Sequence, residues 1–187
     1  MRVIAGQYRR RLLKSLPGFE IRPTSDRLRE TLFNILCAGN PDALAGSTWL
    51  DLYAGTGAVG IEALSRGAGM TRFVESSRAA AEVIAANLKS LGIRDGFQIM
   101  TLNVVKALKQ LESIAICDYV FLDPPYSEHE EYAKTLSALG QSSLLNETSV
   151  VIAEHQKRFD PGDSFHNLRR YRTLRQGDAA LSFYRRG

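Results

Sequence analysis

Two short stretches of the chain carry residues whose types and spacing can do chemistry. The first is Asp123-Pro124-Pro125-Tyr126, which follows an apolar run at 117–122. Consecutive prolines fix the backbone and remove two N–H donors, leaving the carbonyls of Asp123 and Pro124 as acceptors. A free amino group is their natural occupant. An aromatic amine is a poor nucleophile because its lone pair is delocalised into the ring. Acceptors on its hydrogens favour a pyramidal nitrogen and turn the lone pair toward an electrophile, while Tyr126 offers a ring on which a base can stack.

The second stretch is Leu50-Asp51-Leu52-Tyr53-Ala54-Gly55-Thr56-Gly57-Ala58-Val59-Gly60, a GxGxxG spacing at the end of an apolar run. Such glycines permit a tight turn and a close backbone approach to a nucleotide-like ligand. Dinucleotide enzymes use the same spacing, and Glu75, ending the next apolar run, would serve ribose hydroxyls in either case. Asp51 separates the two readings. A carboxylate four residues before the first glycine suits the ammonium of a methionine moiety, whereas a pyrophosphate would be repelled by an anion so close. The donor implied is S-adenosylmethionine (SAM), whose sulfonium methyl needs alignment with the amine more than it needs a strong base. Asn103, after the third apolar run, is placed to meet the adenine edge. The expected chemistry is therefore methyl transfer to an exocyclic amino nitrogen.

These motifs need a scaffold that brings strand ends together. The chain has 187 residues, 44% hydrophobic and 24% charged, a size and balance expected of one domain. From residue 48 onward, short β-branched runs alternate with longer Ala- and Leu-rich segments, the pattern of βα units around a parallel sheet. Strands are expected at 48–53, 71–75, 97–102, 118–123 and 149–154, with helices at 59–65, 78–91, 104–111 and 130–139. Runs at 168–176 and 179–185, separated by Gly177-Asp178, read as an antiparallel hairpin. The expectation is α/β, with a seven-stranded, mostly parallel sheet. Residues 1–46 read as a basic arm and one amphipathic helix, with Leu28, Leu32, Ile35 and Leu36 on one face, packed on a catalytic core at 47–187. In open sheets of this kind ligands sit at the carboxyl ends of the strands, so both motifs should face one crevice.

Charge is unevenly distributed. Residues 1–30 carry a net +5, residues 156–187 another +5 and the middle −6, for +4 overall. Basic ends would attract a phosphate backbone, and an acidic centre suits a cationic small molecule. No signal peptide or membrane-spanning stretch is recognisable, Cys37 and Cys117 lie in no metal-ligand spacing, and the three histidines are scattered, so no metal is expected and the cytoplasm is the expected compartment.

Taken together, the opening Arg2-Val3-Ile4-Ala5-Gly6-Gln7-Tyr8-Arg9-Arg10-Arg11, the segment Arg22-Pro23-Thr24-Ser25-Asp26-Arg27-Leu28-Arg29-Glu30-Thr31-Leu32-Phe33-Asn34, the glycine turn with Glu62-Ala63-Leu64-Ser65-Arg66-Gly67-Ala68, and the tetrapeptide at 123–126 resemble the bacterial small-subunit rRNA guanine-N2 methyltransferases, the RsmD-like family. The resemblance runs end to end. It implies a Rossmann-like class I SAM-dependent methyltransferase fold, SAM as donor with S-adenosylhomocysteine as product, and as substrate one guanine near the decoding region of 16S rRNA in an assembling or assembled small subunit. No membrane and no obligatory protein partner are implied. The catalytic residues would be Asp123, Pro124, Pro125 and Tyr126. The cofactor contacts would be Asp51, Tyr53, Ala54, Gly55, Thr56, Gly57, Gly60, Glu75, Ser76, Asn103 and Val104. RNA contacts would be Arg9, Arg10, Arg11, Arg22, Thr24, Arg27 and Arg29. Two alternatives remain: a DNA adenine-N6 methyltransferase, for whose usual target-recognition region the chain has no room, and a non-catalytic rRNA-binding assembly factor, which would be expected to carry damaged motifs.

Overall fold

A computed structural model describes residues 1–15, 25–112, 114 and 116–187. The elements run α1 (Asp26–Leu36), β1 (Thr48–Leu52), α2 (Ala58–Ser65), β2 (Met70–Val74), α3 (Arg78–Leu91), β3 (Phe97–Met100), α4 (Val104–Leu111), β4 (Tyr119–Leu122), α5 (His129–Gln141), β5 (Val150–Gln156), β6 (Ser164–Phe165), β7 (Leu168–Gln176) and β8 (Ala179–Arg186). Among the described residues they build one sheet of eight strands in the order β3-β2-β1-β4-β5-β8-β7-β6. The first five strands pair in parallel and the last three antiparallel. The eighth strand corrects the expected count of seven. It is β6, a two-residue piece pairing with the start of β7, too short for any hydrophobic period to register.

Alternation along the strands divides the core between two faces. Leu50, Leu52, Val120, Leu122, Val151 and Ala153 face α4 and α5. Trp49, Phe121, Ile152, Leu181 and Phe183 face α1 and α2, and Phe73 meets α3. Trp49 is fully buried and stacked between Phe33 of α1 and Tyr119 of β4, with ring centroids 5.3 and 5.5 Å away. The N-terminal helix thus packs on the sheet through the expected Leu28 and Leu32, joined by Phe33 and Arg29. Ile35 and Leu36 are only half buried.

Helix boundaries follow local chemistry. Ser25, Ser77 and Asn103 cap α1, α3 and α4 with side-chain oxygens that accept backbone N–H groups, and Gly92 closes α3 in the left-handed conformation. The sheet order reverses beside β1, where the chain places β2 on one side and β4 on the other. Registers Leu52↔Val74 and Leu52↔Leu122 bring the carboxyl ends of these three strands level. No helix among the described residues is long and apolar enough to cross a membrane.

Candidate active site

The level strand ends put the two sequence motifs side by side. Beyond Leu52 the chain reverses through left-handed backbone at Tyr53 (φ 58°), Gly55 (φ 55°) and Gly57 (φ 77°) and enters α2 directly. Tyr53 holds this conformation without being glycine. Its hydroxyl is tied 2.8 Å from Thr135 and donates to Glu131 at 3.1 Å, and Ala54 N–H donates to Val74 C=O. Asp51 points toward α2, where its Oδ2 accepts the Gly60 N–H at 2.8 Å. Gly60 is obligatory because a Cβ there would lie 2.4 Å from Phe73 and 2.8 Å from Thr71. Asp51 is 2% exposed, and burial, aided by the nearby Glu75, pushes its carboxyl up to about 8 against the lowering effect of the Gly60 bond. A buried carboxyl under this strain is a fitting counter-charge for a ligand cation.

Glu75, one residue past β2, is fixed from both sides: Oε2 accepts Gly55 N–H at 2.9 Å and Oε1 accepts Ser77 N–H at 2.8 Å. Each oxygen keeps a lone pair for a further donor such as a ribose hydroxyl. Asn103 lines the cavity and also caps a helix. Its Oδ1 accepts Val105 N–H at 2.9 Å as the cap of α4, which leaves its NH2 for a ligand.

The turn and the tetrapeptide line one cavity of about 580 Å³. Tyr53, Gly55, Glu75, Ser76, Asn103 and Val104 contribute one side and Asp123, Pro124, Pro125 and Tyr126 the other. Asp51, Ala54, Thr56, Gly57 and Gly60 lie outside the lining. The reason is visible for Thr56 and Gly57: Thr56 C=O accepts from Asn87 of α3, and Gly57 sits against Ile84 and Phe73. Val74, Leu102 and Val104 give the cavity apolar walls suited to a flat ring, while Glu128 and Glu131 add acid at its border.

Behind the lining, two further carboxyl groups bear on Asp123. The β4–β5 register pairs Leu122 with Ala153, so Asp123 stands beside Glu154. Burial, then Glu154, then Asp51 hold the Asp123 carboxyl well above the usual range. Tyr126 Oη donates to Glu154 Oε1 at 3.5 Å, and Tyr132 Oη donates to the Glu154 carbonyl at 2.9 Å. Sequence reading missed Glu154, Glu128 and Glu131. An acid near the carboxyl end of the buried run Val150-Val151-Ile152-Ala153 was the available signal for Glu154, whereas acids at the start of a helix, such as Glu128 and Glu131 of α5, are ordinary partners of the helix dipole and carry no signal of a site.

The arginines expected to meet RNA are dispersed. In the arm, Gln7 N–H donates to Ser65 C=O, Tyr8 N–H donates to Ser65 Oγ, and the Arg11 guanidinium donates to Ser90 C=O at 2.8 Å. Ser65 and Ser90 close the carboxyl ends of α2 and α3, while the cavity lies at their amino ends, about 21 Å away along α3. Exposed Arg9, Arg10 and Arg11 therefore sit at the far end of these helices from the cavity. Arg29 corrects the expectation outright. It is fully buried, donating to Arg2 C=O and Asp26 at 2.5 and 2.9 Å with Glu62 at 3.9 Å, so it ties the arm to α1 and α2. Arg27 is exposed on α1, and Arg22 and Thr24 fall outside the described residues.

Comparison with known proteins follows this geometry. The family model described as Conserved hypothetical protein 95 matches residues 1–185. The chain is 35% identical over 159 residues to the ribosomal RNA small subunit methyltransferase D of Haemophilus influenzae, covering 84% of this chain and 79% of that one. It is 32% identical over 187 residues to YlbH of Bacillus subtilis, which is named provisionally as an rRNA methyltransferase, covering 100% and 99% respectively. Among solved structures, yhhF of Escherichia coli superposes with a TM-score of 0.82 at 31% identity, covering 100% of this chain and 97% of that one. A methyltransferase solved with S-adenosylhomocysteine shares the fold at a TM-score of 0.66 and 17% identity, over 85% of this chain and 48% of its own.

Proposed function

Because the chain belongs to the Conserved hypothetical protein 95 family, together with small-subunit rRNA methyltransferases, we propose that it transfers the methyl group of SAM to the exocyclic N2 of a guanine in 16S rRNA of the small ribosomal subunit, in the cytoplasm. The observation that supports this most is the shared cavity: one acidic, partly apolar space bounded by a glycine turn and by Asp123-Pro124-Pro125-Tyr126.

The residues present fit the cofactor. Glu75, locked by two backbone N–H groups, would receive the ribose hydroxyls, Leu102 and Val104 would flank the adenine, and Asp51 behind the turn would supply the negative charge for the methionine ammonium. When bound, SAM supplies an activated methyl on a cationic sulfur. The chain's own part is alignment. The carbonyls of Asp123 and Pro124 accept hydrogens of the guanine amine, and Tyr126 stacks on the base while its hydroxyl leans on Glu154. In the overall exchange a nitrogen–carbon bond forms, a sulfur–carbon bond breaks, and the nitrogen sheds one proton, leaving neutral S-adenosylhomocysteine. A target base in structured RNA must be unstacked to reach this site.

The test is transfer of labelled methyl from SAM to small subunits isolated from cells lacking the protein, followed by nucleoside analysis. Label in N2-methylguanosine is expected. No label in the subunits, with label in N6-methyl-2′-deoxyadenosine when DNA is offered in a parallel reaction or in no nucleic acid at all, overturns the reading.

A further inference from the structure

Arg9, Arg10 and Arg11 lie at the wrong end of α2 and α3 to hold RNA beside the cavity, but other basic groups do adjoin it. A second cleft, of about 480 Å³, is lined by Tyr126, Gln156, Lys157, Arg158, Arg175 and Asp178. Tyr126 is the shared wall: one side of the cleft is the catalytic tetrapeptide itself. Strand pairing explains the juxtaposition. Gln156 at the end of β5 and Gln176 at the end of β7 both pair with Ala179, and Lys157 N–H donates to Asp178 C=O at 2.8 Å. The loop after β5 and the tip of the β7–β8 hairpin are thereby fastened at the carboxyl end of β5, the end where Glu154 and Asp123 stand.

The charges are placed for an external anion. Lys157, Arg158 and Arg175 are exposed, and among the described residues no ion pair engages them. Arg170, on the same hairpin, is by contrast consumed by Asp160 and Asp163 at 2.6 and 2.5 Å. Among the described residues, the lining holds one acid, Asp178, against three cations. A cleft with this excess of positive charge, opening beside an acidic cavity that repels phosphate, fits a phosphodiester backbone and not the base itself.

We propose that Lys157, Arg158 and Arg175 grip the backbone phosphates of the RNA nucleotides flanking the target base, so that the base can turn past Tyr126 into the cavity while its phosphates stay outside. This rests on the RNA-methyltransferase reading. The experiment is the triple replacement Lys157→Gln, Arg158→Gln, Arg175→Gln, compared with wild type and with Arg172→Gln, Arg185→Gln, which lie on the same hairpin outside the lining of the cleft. Three quantities are read: SAM affinity, binding of transcribed 16S rRNA as a function of salt, and the kinetics of methyl transfer.

The triple variant is expected to bind SAM as wild type does, to show a KM for RNA raised tenfold or more with kcat within about twofold, and to lose about two from the slope of log affinity against log salt, at ~0.7 per single-stranded phosphate contact. The control double variant should keep the wild-type slope and KM. Unchanged slope and KM in the triple variant overturn the cleft assignment. So does loss of binding to assembled subunits with naked rRNA still bound normally, which would make a ribosomal protein the occupant. If wild type binds SAM but methylates no RNA, the functional reading fails separately, and the salt slope still decides whether the cleft binds RNA.

Discussion

Asp51 gives a prediction in which stability and ligand binding move in opposite directions. Its carboxyl is raised from 3.8 to about 8 by burial, so between those pH values the folded protein keeps a proton that the unfolded chain has released. Stability therefore falls as pH rises across this window, with a slope of at most about 1.36 kcal/mol per unit, and levels off above the folded value. Asp51→Asn removes the titration while its amide oxygen can still accept the Gly60 N–H. A rise of four units sets a ceiling of about 5 kcal/mol on the gain at pH 8, and burying the new NH2 takes back part of it. A net gain of about 2 kcal/mol, a Tm increase of roughly 4–8 °C for a chain of this size, is expected at pH 8 and should shrink toward pH 5. SAM affinity should meanwhile drop at least about tenfold, since one charge-assisted contact is lost. Calorimetry checks both: wild type should release a proton to buffer when it binds SAM at neutral pH, as the ligand ammonium pulls the Asp51 carboxyl down, and the variant should release less. A variant that is less stable than wild type at every pH, or one that binds SAM unchanged, refutes the reasoning.

Other outcomes follow from single contacts. Glu62→Ala removes the carboxylate that accepts from Ile4, Ala5 and Arg66 and that faces buried Arg29, and it should cost about 3–5 kcal/mol in urea unfolding. Arg29→Ala should likewise lower stability by several kcal/mol while leaving the salt dependence of RNA binding unchanged; a flattened salt slope would return Arg29 to the RNA interface. Gly60→Ala forces a methyl to 2.4 Å from Phe73 and should cost about 1–3 kcal/mol in thermal melts, with weakened SAM binding by titration. Tyr126→Ala should lower kcat/KM for RNA by about 5–150-fold through lost stacking of ~1–3 kcal/mol, with Tyr126→Phe recovering most of it.

What the sequence made legible was local. The glycine turn and the tetrapeptide announce themselves within a few residues, because each meets a demand of the nearby backbone. The parallel strands could be read from their apolar runs, to within a residue or two at their ends. What was hidden depends on partners far along the chain. Arg29 was expected to meet RNA, but the Arg2 carbonyl, Asp26 and the buried Glu62 of α2 receive its guanidinium inside the protein. The arm's arginines were expected to meet RNA, and backbone bonds to Glu62 and Ser65, far along the chain, decide where that part of the arm lies. Glu154 hid in a run that reads as a purely structural core strand, and β6 was too short to read at all.

The charge asymmetry of the sequence acquires a physical meaning from the fold. The acidic middle supplies the carboxyl groups in and around the cavity, Asp51, Glu75, Asp123, Glu128 and Glu131, whereas the basic C-terminal segment supplies the cleft on the other side of Tyr126. A cationic methyl donor is favoured inside and a polyanion is kept out. A nucleobase is neutral, so unlike the phosphates it can cross from one field to the other without an electrostatic penalty. It follows that raising salt should weaken RNA binding steeply and SAM binding little, because exposed charges are screened and buried ones are not. Parallel salt titrations of the two ligands measure this directly. Equal salt sensitivity would mean that the two fields are not separated as the geometry requires.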